Sequence, residues 1–180
     1  MSADWQARYD ALVAEIGAEI AGFRLIKKSD DRLQRLIHHV LRVLTFGAQR
    51  TYMTQFTTTI GRSIYVADDW DSWGADRRYA TLRHELVHLR QFARYGLLWM
   101  SFLYLLVPLP VGLAWFRARF EKEAYAETIR VTAEIWGIEA ARQRRAYVVS
   151  QFTGGNYGWM WPFRRAMERW YDAVVAELEP

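Results

Sequence analysis

The sequence predicts an α+β domain that is mostly helical, with a small sheet or hairpin beside one long helix. Apolar residues recur at helical spacing over most of the 180 residues. One short run, residues 51–67, is instead rich in β-branched and aromatic residues around a Gly61-Arg62 turn signal. The 52% hydrophobic composition, with no repeat and no convincing linker, suits a single domain over residues 1–180.

The N-terminal half of the sequence predicts two helices, a hairpin and a loop. Helical periodicity stops at Gly22 and again at Gly47, and glycine is common just beyond the C-terminus of a helix. Either Ser29 or Asp30 supplies the polar cap of the second helix. The predicted elements are a helix over 3–21, a helix between 30 and 47, a hairpin over 51–67 and a loop over 67–74.

The C-terminal half predicts four further helices around a charge-free apolar stretch. Gly96 ends the first of them, and Pro162 suits the first turn of the last, since proline tolerates that position. The predicted helices cover about 76–95, 117–136, 138–152 and 162–178.

The motif that carries chemistry is His84-Glu85-Leu86-Val87-His88, inside the predicted helix over 76–95. Two histidines four residues apart lie on one helical face, so both imidazoles can reach one metal ion. Glu85 points into the same cleft at a different angle and suits a general base toward a metal-bound water. The motif therefore predicts a zinc site.

A catalytic zinc usually has three protein ligands and one open position. The third ligand has to be His38, His39 or a carboxylate, because the chain has only four histidines and no cysteine. Glu123 and Glu127 are four residues apart, on one helical face, whereas Glu121 lies on a different face. We expect Glu123 to bind the metal and Glu127 to accept a hydrogen bond from a ligand histidine. Glu121 is the alternative ligand.

The two motifs together resemble the gluzincin group of zinc metallopeptidases, in which His-Glu-x-x-His is followed on a later helix by Glu-x-x-Ala-(Asp/Glu). The resemblance covers roughly residues 50 to 130 and implies a zincin-like fold for the single domain over residues 1–180. It implies that His84 and His88 are ligands, Glu85 the base, Glu123 the third ligand and Glu127 the acid beyond it. In the alternative register Glu121 is the ligand, and Tyr125 then takes the place of the acid.

The apolar run over residues 97–116 is long enough to suggest a transmembrane span. A single span would put Glu123 on the opposite side of the bilayer from His84, and the metal site could not close. Pro108 and Pro110 also interrupt the run. We expect a buried apolar excursion of two short pieces, with peripheral membrane or partner contact through 97–116 as the alternative.

Charge and composition narrow the expected location and partners of the protein. The absence of cysteine and of a basic, apolar N-terminal segment makes a cytoplasmic location the default expectation. The net charge of +4 comes with scattered arginines and no nucleic-acid motif, so no nucleic-acid partner is expected.

The expected function is hydrolysis of peptide bonds in a peptide or protein substrate by a zinc-activated water, with Glu85 as base. The group that donates a hydrogen bond to the tetrahedral oxyanion could be Tyr157, Tyr147 or one of the His38-His39 pair. Residues 56–60 could align an extended peptide by backbone hydrogen bonds. The alternatives are a zinc-binding interaction module without turnover, and a membrane-surface or scaffold protein.

Overall fold

A computed structural model describes residues 3–30, 57–106, 114–154 and 160–179. The chain forms two compact units, Met1–Leu89 and Arg90–Pro180. The division falls within one continuous helix, and the expectation of a single domain stays a prediction. The α+β, mostly helical class is confirmed, since one three-stranded sheet accompanies helices over most of the described chain. The predicted helix between 30 and 47 lies outside the described residues.

The first unit begins with helix α1, Ala3–Glu19, which ends two residues earlier than the helix predicted over 3–21. Gly22 has φ 80°, a left-handed conformation that costs glycine little and turns the chain into the first strand. The buried face of α1 presents Leu12 and Ile16 to the core of this unit. The buried Trp70 donates its indole N–H to the Tyr9 hydroxyl at 3.2 Å, which satisfies a polar group away from water.

The sheet has three strands, β1 (Arg24–Lys27), β2 (Thr58–Ile60) and β3 (Ser63–Val66). β2 and β3 form the predicted antiparallel hairpin around Gly61, which has φ 61°. β1 pairs with β3 in parallel and was missed by the sequence analysis, because a four-residue strand carries almost no periodicity. Among the described residues, the strand order β1-β3-β2 makes β3 the central strand and β2 an edge strand.

Helix α2, Ala75–Tyr95, is the predicted motif helix and runs without a break for 21 residues. Asp76 in its first turn and Arg94 in its last complement the helix dipole. Gly96, with φ 77°, ends it as predicted.

The second unit holds the remaining helices. They are α3 (Leu97–Ser101), α4 (Trp115–Trp136), α5 (Ile138–Gln143), α6 (Arg145–Thr153) and α7 (Arg164–Ala176). Four of them, α4 to α7, surround one apolar cluster that includes Tyr125, Phe152 and Met167. The Tyr125 and Phe152 rings lie 5.4 Å apart in a tilted arrangement, which suits aromatic quadrupoles. The helix predicted over 138–152 is divided into α5 and α6 at Arg144.

The start of the apolar run differs from the buried excursion that the sequence predicted. It forms α3 and then a π-helical turn, Phe102–Leu106, as two short pieces. Met100 is buried, but three neighbouring side chains are 51%, 85% and 65% exposed, namely Leu97, Leu98 and Trp99. The expectation of burial is therefore wrong for these residues. Pro108 and Pro110 lie outside the described residues, and no described helix is long and apolar enough to cross a membrane.

Candidate metal site

The two motif histidines lie side by side on α2. Their ring centroids are 5.0 Å apart and the ring planes meet at 72°. A separation of four residues rotates about 40° around an α-helix, so both side chains project from one face. His88 is 8% exposed, whereas His84 is half-buried. The unbroken helix thus presents two imidazoles in one direction, as the motif predicted.

Glu85 lies next to this pair and is 5% exposed. The Thr59 hydroxyl, on edge strand β2, donates a hydrogen bond to Oε2 of Glu85 at 2.6 Å. A hydrogen bond to an ionised acceptor is short and strong, so the strand fixes the direction of this carboxylate. Sequence analysis assigned Glu85 as the base but had no signal for Thr59.

A buried lysine also faces Glu85. Lys28, just after β1, is 0% exposed. Burial lowers the pKa of Lys28 to about 8, because the charged ammonium loses its hydration, while the negative charges of Glu85 and Asp68 oppose this shift. Lys28 thus places a buried amine near Glu85 within the first unit.

The two candidate glutamates of α4 have different surroundings. Glu121 is 2% exposed, and one of its oxygens, Oε1, accepts a hydrogen bond from the Tyr104 hydroxyl. The side chain of Glu123 is 51% exposed; its Oε2 accepts from Nε2 of Gln91 at 2.8 Å, and its Oε1 lies 3.9 Å from Nε of Arg119. Glu121 is therefore the carboxylate that is withdrawn from water.

Glu121 is also the carboxylate that lies near the histidines. His84, His88 and Glu121 each offer one ligand atom, and these atoms lie within 4.8 Å of one another. Two imidazoles and one carboxylate also form a donor set typical of catalytic zinc. The prediction that Glu123 binds metal stays untested, and this geometry favours the alternative register.

Among the described residues, the group whose ligand atoms lie together does not include Glu127. Glu127 is half-buried on α4, six residues and about 240° of helix rotation from Glu121. Tyr147 is 59% exposed on α6. His38, His39 and Tyr157 lie outside the described residues.

Two residues of this region were missed by the sequence analysis. Gln91 follows His88 by three positions on α2, so helical periodicity could have identified it. It is 4% exposed and also donates to the carbonyl of Phe120 at 3.1 Å, next to Glu121. Tyr104 had no such signal, because it lies in a π-helical turn within an apolar run.

Comparisons of the chain with protein-family models, with curated proteins and with solved structures find no match.

Proposed function

We propose that the protein is a zinc-dependent metallopeptidase in which His84, His88 and Glu121 hold the metal and Glu85 is the general base. One observation carries the proposal: the ligand atoms of these three residues lie within 4.8 Å of one another. Glu85, adjacent to His84 in the sequence, adds the proton acceptor that a purely structural zinc site does not need.

A zinc ion held there would activate a water molecule and polarise a substrate carbonyl. Glu85 would take a proton from that water and pass it to the leaving amine. Its hydrogen bond from Thr59 supports this role, because it fixes the direction of the carboxylate.

The edge strand supports a peptide as the substrate. β2 has a described partner strand, β3, on one side only. Extended peptides bind to proteins by adding a strand to such an edge. Because Thr59 belongs to β2 and contacts Glu85, a peptide paired there would run close to the base. This is the alignment that residues 56–60 were expected to provide.

Metal analysis and a digest of a peptide library, with and without chelator, test the proposal. Purified protein should bind close to one zinc per chain. His84→Ala and His88→Ala should abolish binding. Glu85→Gln should keep zinc while cleavage falls by about two to four decades. Exposed Glu15 provides the matched control, and Glu15→Gln should cleave like the unmodified protein.

Two results would contradict the proposal in different ways. Undiminished zinc binding in both histidine variants would rule out the assignment of the metal site. Full zinc without any cleavage would leave a zinc-binding module without turnover.

Contact with a membrane surface is a second candidate role, favoured by one observation. Leu98 and Trp99 are 85% and 65% exposed at the start of the apolar run. Exposed tryptophan and leucine side chains suit the interface between lipid headgroups and acyl chains. Co-sedimentation with anionic vesicles tests this role, and binding that persists in a Leu98→Asp, Trp99→Asp variant would refute it.

A further inference from the structure

Two side chains, Tyr104 and Arg117, join the π-helical turn after α3 to α4, where the buried Glu121 lies. Tyr104 lies in the π-helical turn Phe102–Leu106, and its hydroxyl donates a hydrogen bond to Oε1 of Glu121. Arg117, on α4, donates to the backbone carbonyl of Tyr104 from Nε at 3.0 Å and from Nη2 at 2.8 Å. The guanidinium carbon of Arg117 also lies 5.1 Å from the centroid of the Tyr104 ring.

The spacing on α4 explains why these contacts occur together. Arg117 and Glu121 are four residues apart, so they project from one face of the helix. Arg117 therefore holds the backbone and ring of the tyrosine whose hydroxyl reaches Glu121. The planar guanidinium of Arg117 donates two hydrogen bonds to the carbonyl of Tyr104.

We propose that Tyr104, fixed by Arg117, is a positioning residue that orients the Glu121 carboxylate for metal binding. This inference rests on the proposed metal site, although not on peptidase activity. A carboxylate with one oxygen held by a phenol presents its other oxygen in a restricted set of directions. Groups that orient a metal ligand in this way commonly contribute tenfold to a hundredfold to metal affinity.

The proposal also gives the exposed apolar segment a connection to the site. Leu98 and Trp99 on α3 precede Tyr104 by six and five residues, and Phe102 in the same turn is 44% exposed. The segment over 97–106 thus carries exposed apolar side chains together with the hydroxyl that binds Glu121. Its conformation becomes part of what determines metal affinity.

The test compares Zn²⁺ affinity by chelator competition, and the visible spectrum of Co²⁺ bound in place of zinc, across four proteins. Tyr104→Phe removes only the hydroxyl and keeps the ring beside Arg117. Tyr95→Phe is the matched control, because Tyr95 packs on Phe120 at 5.3 Å and its hydroxyl has no hydrogen bond among the described residues. Arg117→Lys keeps the charge but loses the two-donor geometry.

We expect Tyr104→Phe to lower zinc affinity about tenfold to a hundredfold and to alter the cobalt spectrum, which reports ligand geometry. Arg117→Lys should have a smaller effect in the same direction, and Tyr95→Phe none. Unchanged affinity and spectrum in Tyr104→Phe would overturn the proposal, as would an equal loss in Tyr95→Phe. If the unmodified protein does not bind zinc, the proposed metal site itself is refuted.

Discussion

Replacing Lys28 with methionine should change how the stability of the protein depends on pH. Lys28 is 0% exposed, and burial lowers the pKa of its ammonium from 10.5 to about 8. Because the folded-state pKa lies below the unfolded-state pKa, the charged lysine destabilises the fold. The full cost is present below pH 8, and it is relieved as the pH rises toward 10.5.

The size of this destabilisation follows from the shift in the pKa of Lys28. A change from 10.5 to about 8 corresponds to about 3 kcal/mol at 1.36 kcal/mol per unit. Methionine has a similar length and no charge, so Lys28→Met should have a larger free energy of unfolding than the unmodified protein near neutral pH. This advantage should shrink by about 3 kcal/mol between pH 7 and pH 10.5.

Urea unfolding of the two proteins in chelator, at several pH values, measures this difference. Comparing two proteins at each pH cancels the titration of groups that they share, and the chelator removes any metal contribution. A difference that stays constant from pH 7 to pH 10.5 would refute the reasoning. It would mean that Lys28 keeps an ordinary pKa in the folded protein.

Two further predictions concern the metal and the base. Glu121→Ala should strip or strongly weaken zinc while Glu123→Ala leaves it nearly unchanged, because Glu121 lies with the histidines and Glu123 is half-exposed; isothermal titration decides, and the reverse ranking would restore Glu123 as ligand. Thr59→Val should keep zinc but lower kcat/KM about tenfold to a hundredfold, since a hydrogen bond to a charged acceptor contributes about 1.5–3 kcal/mol. Thr59→Ser should retain activity, and equal losses in both variants would point to strand packing instead.

Most of the helices could be predicted from the sequence because each is a local pattern. Periodicity and the glycines at 22, 61 and 96 gave the ends of α1, the hairpin turn and the end of α2. The strand β1 and the exposure of α3 could not be predicted in this way. β1 depends on pairing with β3, some forty residues later, and exposure depends on which neighbouring elements cover a surface.

The sequence by itself determined that His84 and His88 lie on one helix, with Glu85 next to the first of them. Because the two histidines are four residues apart on one α-helix, their side chains lie on the same face of it. The gluzincin resemblance itself stays a prediction, as does the role that it implied for Glu127.

Only the tertiary structure shows that Glu121 and Glu123 have different surroundings. Both lie on α4, two positions apart, and sequence spacing ranks them by analogy alone. The position of that helix relative to water and to Tyr104 buries one carboxylate and leaves the other half-exposed. The same holds for Thr59 and Lys28, which approach Glu85 from distant parts of the chain. A metal site needs groups from several elements to converge, and that convergence is a property of packing rather than of any local sequence pattern.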